Sequence, residues 1–187
     1  TRWATHGEAN HVNAHPHFSN DGDIAIIHNG IIENYHVLKS ELQSRGYQFI
    51  SDTDTEVLVH LFSDIQKKTG SSLEESVRLG LNEVIGAYAI VVISKNDPNK
   101  LIAAKLSSPM VIGYGDDEFY VASDGSPLVE YTRKVTYLED GQLAILERGK
   151  PLQLKSIADN TVHIAYIDEL KYKLEELEKG GFEHFML

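Results

Sequence analysis

AYAIVVISKNDPNKLIAAKL, residues 87–106, decides the fold class. Two runs rich in Val, Ile and Ala flank NDPNK, whose Asn, Asp and Pro favour a turn. Strands joined this tightly pair antiparallel, because a parallel pair needs a long crossover. The same pattern continues downstream. MVIGYG (110–115), EFYVAS (118–123), VTYLE (135–139), QLAILE (142–147), PLQLKS (151–156) and TVHIAYI (161–167) all read as strands. Asp140-Gly141 separates VTYLE from QLAILE as a hairpin turn would. SPLVEYT (126–132) reads as one short helix.

Upstream of residue 87 the period changes. Tyr35, Leu38 and Leu42 recur at helical spacing, with Gly46 where a terminating glycine belongs. Val57, Leu58, Leu61, Phe62 and Ile65 form a second stripe, with Thr53 or Asp54 placed to cap it. Ser72-Leu73-Glu74-Glu75 is a capping-box pattern ahead of Leu73, Val77, Leu81 and Val84. IAIIH (24–28) is a short buried strand that the Asn29-Gly30 turn signal should end, and YQFI (47–50) reads as another strand. The first 23 residues read as loop with a short strand at their start. Clustered helices and turn-linked strands give an α+β fold with antiparallel sheets, not a βαβ repeat.

Composition narrows the function classes. Lys plus Arg number 17 against 28 Asp plus Glu, a net charge of −11, which argues against nucleic-acid or anionic-membrane partners. No apolar run is long enough to span a bilayer, and no signal peptide is visible. The chain has no cysteine, so disulfides, thiolate metal ligands and a cysteine nucleophile within these residues are excluded.

Several short stretches have the chemistry of a site. HVNAHPH (11–17) spaces three histidines as metal ligands can be spaced, although a polar loop with hydrogen-bonded imidazoles explains it as well. Asn29 and Gly30 offer a carboxamide N–H beside a backbone N–H, the donor pair of an oxyanion hole; an ordinary turn is the bland alternative. Arg2 suits a carboxylate and Asp54 an ammonium, so together they suit an amino acid; separately they are a surface cation and a helix cap.

Taken together and in order, TRWATHGE, NAHPH, HNGIIENY, SDTDTE and GAYA strongly resemble the glutaminase domain of the glutamine–fructose-6-phosphate aminotransferases. SPMVIGYGDDEFYVASD and YLEDGQLAIL extend the resemblance over most of the chain. It implies an N-terminal-nucleophile hydrolase fold, a four-layer α/β/β/α sandwich with two antiparallel sheets. By resemblance, Arg2 holds the glutamine carboxylate, Asp54 its α-ammonium, and Asn29 and Gly30 form the oxyanion hole. Thr5 and His6 contact glutamine on a closing loop, Trp3 is its aromatic lid, and His15 lies near the site. The family's nucleophile is an N-terminal Cys whose own amino group serves as base, and no Cys is present here. The expectation is therefore an N-terminally truncated, inactive piece whose first strands are missing. Residues 1–167 would form the partial glutaminase domain and 168–187 a linker toward an absent sugar isomerase domain. The implied parent is cytoplasmic and homo-oligomeric, binds glutamine and needs no metal or cofactor. Another class II amidotransferase, a non-catalytic amino-acid-binding module and a His-loop metalloprotein are the competing readings.

Overall fold

A computed structural model describes residues 7–170. The chain opens with β1 (His17–Phe18), β2 (Ile24–Ile32), α1 (Tyr35–Ser44), α2 (Thr55–Thr69) and α3 (Leu73–Leu81). Eight further strands follow: β3 (Gly86–Ser94), β4 (Asp97–Leu106), β5 (Val111–Tyr114), β6 (Phe119–Ala122), β7 (Lys134–Tyr137), β8 (Gln142–Glu147), β9 (Gln153–Ser156) and β10 (Val162–His163) lead to β11 (Asp168–Glu169) as the ninth. One sheet has the order β1-β2-β3-β4-β8-β9-β10 and the other β11-β7-β5-β6, with every named pair antiparallel. The α+β class with two antiparallel sheets stands.

Alternation along the strands builds the layers. Ile24, Ile26, Ile90, Val92, Ile102 and Ile145 face the helices and meet Leu42, Leu58, Phe62 and Val77 in the main core. On the other face, Ala89, Ala103 and Ala144 are small enough to admit the second sheet, whose Met110 and Ile112 fill the gap. The outer face of that second sheet buries Val111 and Val135 under Leu128, from a 3-10 turn at Ser126–Leu128, and Leu170. The β1–β3 part of the large sheet is barer on this side: Phe18, Ile27 and Ile93 are 54%, 46% and 48% exposed.

Several local readings differ from the fold. Asn29-Gly30 is not a turn, since β2 continues to Ile32 and pairs with β3 along its whole length. Gly30 has φ +131, and a Cβ there would lie 2.1 Å from the Ala87 carbonyl oxygen, so its glycine serves close strand approach. YQFI is not a strand: Gln48 exchanges hydrogen bonds with the Asn20 side chain, and the Ile50 N–H goes to Glu56. SPLVEYT forms only the short 3-10 turn. Asp140-Gly141 does not close a hairpin, because β7 and β8 belong to different sheets. TVHIAYI is not one strand either; β10 ends at His163, and the chain crosses to the second sheet. At Ser72 the capping box does not close, because Glu75 pairs with Arg78 instead. The possible opening strand and the leucine pattern beyond Leu170 lie outside the described residues.

Candidate functional site

The site is built where the start of α2 meets β2. Burial of Thr55 through Asp64 shows how far α2 sinks between the sheet and its neighbouring helices. Its first turn is consequently surrounded by polar groups that must find partners inside the protein. Asp54 occupies the N-cap position without making a side-chain cap bond; its Oδ2 accepts the Ile32 N–H at 2.8 Å. Glu56 accepts the Ser51 N–H at 2.8 Å, the Ser51 hydroxyl at 2.6 Å and the Ile50 N–H at 3.0 Å. Burial disfavours its charge, but His60, Ser51 and these backbone donors outweigh that and hold its carboxyl down at about 2.

The histidine loop is fastened to this turn. Asn13 Oδ1 accepts the Asp52 N–H at 2.9 Å, His17 Nε2 lies 3.1 Å from Thr53 Oγ1, and His15 Nε2 lies 3.3 Å from Thr55 Oγ1. From the other side, His28 Nδ1 lies 3.0 Å from the same Thr55 oxygen. Gly7 has φ +75, and a Cβ there would lie 2.6 Å from Asn13 Nδ2, so close contact fixes the loop's start too.

His28 is 5% exposed. Burial pushes its pKa below the usual histidine value, partly offset by the Asp54 carboxylate and the Ala87 carbonyl. Its Nε2 has no hydrogen bond of standard geometry. Alternation along β2 turns the next residue, Asn29, to the opposite face of the sheet, where it is exposed. The structure places His15 and Asp54 at the start of α2 on the helix side of β2, whereas Asn29 and Gly30 follow along the strand with the Asn29 side chain on the other face. Arg2, Trp3, Thr5 and His6 lie outside the described residues. The His-loop metal alternative finds no group of three or more His, Cys, Asp or Glu side chains arranged to hold an ion among the described residues.

Sequence reasoning missed Thr55 and Asn13. The available signal was the alternation of Asn13, His15 and His17 in a loop, a sign of polar side chains sharing one face.

The glutamine amidotransferase domain family matches residues 5–130. The chain belongs to that family. This amidotransferase domain is 54% identical over 187 residues to the glutamine–fructose-6-phosphate aminotransferase (isomerizing) of Bacteroides thetaiotaomicron, covering all of this chain and 30% of that protein. It is 53% identical over 188 aligned residues to the enzyme of the same name from Chlorobaculum tepidum, again covering 30% of the relative. Among solved structures, the glutamine phosphoribosylpyrophosphate amidotransferase of B. subtilis superposes with a TM-score of 0.68 at 28% identity, over 85% of this chain and 34% of that one. The amidotransferase domain thus shares the N-terminal-nucleophile architecture expected from its sequence.

Proposed function

We propose that this amidotransferase domain is the glutamine-handling part of an isomerising glutamine–fructose-6-phosphate aminotransferase. The parent transfers the amide nitrogen of glutamine to fructose 6-phosphate, giving glucosamine 6-phosphate and glutamate. The observation that carries this reading is the alignment of two such enzymes across the whole chain at 54% and 53% identity. Residues 1–167 serve as glutaminase domain, and 168–187 lead toward the sugar isomerase domain that receives ammonia. The parent is a cytoplasmic homo-oligomer.

In this reading Arg2 binds the glutamine carboxylate and Asp54 its ammonium. Trp3, Thr5 and His6 belong to the closing loop, with His15 beside it. A Cys thiolate attacks the side-chain amide carbon, and the carbonyl oxygen becomes negative opposite the Asn29 carboxamide and the Gly30 N–H. Collapse of that intermediate releases ammonia, and water then frees glutamate from the thioester. The exposed orientation of Asn29 supports its role as a donor to a ligand. No Cys occurs in these 187 residues, so the attack requires sulfur supplied by the complete enzyme. The test is glucosamine 6-phosphate formation by the full-length enzyme from glutamine and fructose 6-phosphate. Formation of phosphoribosylamine from phosphoribosylpyrophosphate instead would make the parent another class II amidotransferase.

A further inference from the structure

We propose that Thr55 is a positioning residue that holds the two halves of the glutamine site in register. This rests on the functional reading above. Thr55 is 2% exposed, and its one hydroxyl lies 3.0 Å from His28 Nδ1 and 3.3 Å from His15 Nε2. One residue earlier, Asp54 Oδ2 accepts the Ile32 N–H at 2.8 Å. The start of α2 is therefore clamped to β2 at His28 and at Ile32. Asn29 and Gly30 lie between the two clamps. His15 ties a third segment, the loop before β1, to the same oxygen.

The proton count gives the bridge a direction. A hydroxyl donates one hydrogen bond and accepts others, whereas a neutral imidazole has one N–H and one bare nitrogen. Burial favours neutral His28. The arrangement that satisfies the most groups runs from His15 Nε2–H to Thr55 Oγ1, and from the Thr55 O–H to bare His28 Nδ1. It leaves the proton of His28 on Nε2, the ring nitrogen with no hydrogen bond of standard geometry. Valine has nearly the shape of threonine but neither donates nor accepts, so Thr55→Val removes both contacts at once. Serine retains them.

Without the bridge, Asp54 is held to the strand carrying Asn29 only through its contact with the Ile32 N–H. The ammonium contact forms equally in the ground and transition states, so the loss should fall on KM rather than kcat. Misplacement by about 1 Å can cost up to ~10²-fold, and the remaining Asp54–Ile32 clamp limits the expected rise in glutamine KM to about 10-fold.

The test is steady-state glutamine hydrolysis by the full-length enzyme carrying Thr55→Val, Thr55→Ser, His15→Ala, and Thr55→Val with His15→Ala. Thr55→Val should raise KM about 10-fold with kcat within about threefold, and Thr55→Ser should stay within about twofold of wild type. The double variant should cost no more than the larger single one, because both changes break one bridge. Unchanged KM in Thr55→Val, equal impairment of the serine variant, or fully additive effects would overturn the proposal. A purely structural threonine would lower the melting temperature without this KM pattern. Should Thr55→Val fail to fold, wild-type KM in His15→Ala would overturn it alone. An inactive wild-type enzyme would fault the functional reading instead, and glutamine calorimetry on the same variants would then decide the bridge.

Discussion

Replacing Gly30 with alanine should be among the most damaging single-methyl changes in this chain. The added Cβ would sit 2.1 Å from the Ala87 carbonyl oxygen and 3.0 Å from the Tyr88 Cα, whereas ordinary contact begins near 3.4 Å. Both neighbours are backbone, so no side chain can rotate away. Strands β2 and β3 would have to part by about 1 Å at the Gly30–Tyr88 pair, inside their paired length. The φ of +131 adds strain for any residue with a Cβ. That conformational term is ~1–2 kcal/mol, and two weakened ladder hydrogen bonds add ~0.5–1.5 kcal/mol each. The sum is about 2–5 kcal/mol, a large part of the ~5–15 kcal/mol that holds a domain together. Gly46→Ala is the internal control, because Gly46 has φ +92 but open space around the added methyl. It should cost only the conformational term, ~1–2 kcal/mol. Urea unfolding followed by circular dichroism measures both variants. A Gly30→Ala protein within about 1 kcal/mol of Gly46→Ala would refute the close-approach account of this strand pair.

Glu56→Gln should destabilise the domain by about 3 kcal/mol at pH 7 and roughly half that at pH 3, because a carboxyl lowered from 4.5 to about 2 contributes fully above 4.5 and loses its contribution as pH falls through 2; a pH-independent penalty in urea titrations would contradict this. The 187-residue chain alone should release no ammonia from glutamine, since it has no Cys; glutamate formation abolished by Thr1→Ala would identify Thr1 as a nucleophile instead. The bare apolar patch of Phe18, Ile27 and Ile93 should drive self-association of that chain, with Ile27→Lys and Ile93→Lys reducing it in light scattering; a wild-type monomer at high concentration would contradict this.

The helices were legible because their apolar stripes coincide with their buried faces. Leu38 and Leu42, Val57 and Leu58, and Val77 and Leu81 all point into the main core. The sheet strands were legible for the same reason, but their partners were not. Asn29-Gly30 has the local chemistry of a turn, yet pairing with β3 carries the chain through it, and Gly30 is needed for contact between strands. Asp140-Gly141 does bend the chain, but no local signal reveals that the following strand joins another sheet. In YQFI, apolar residues imitate a strand while side chains of Asn20 and Glu56 take up backbone hydrogen bonds. At the site, Asp54 and His15 were legible as chemical types. Thr55 was not, because its meaning depends on two histidines 27 and 40 residues earlier in the chain.

In the proposed function, Asn29 donates to the oxygen of glutamine as charge develops there. Its most direct test is steady-state kinetics of the full-length enzyme carrying Asn29→Ala, with folding checked by circular dichroism. Loss of one such donor costs ~10²–10³ in kcat, or about 3–4 kcal/mol of barrier, and should leave KM within a few-fold of wild type. A folded Asn29→Ala enzyme with kcat within about threefold of wild type, only ~0.6 kcal/mol, would remove Asn29 from the oxyanion hole.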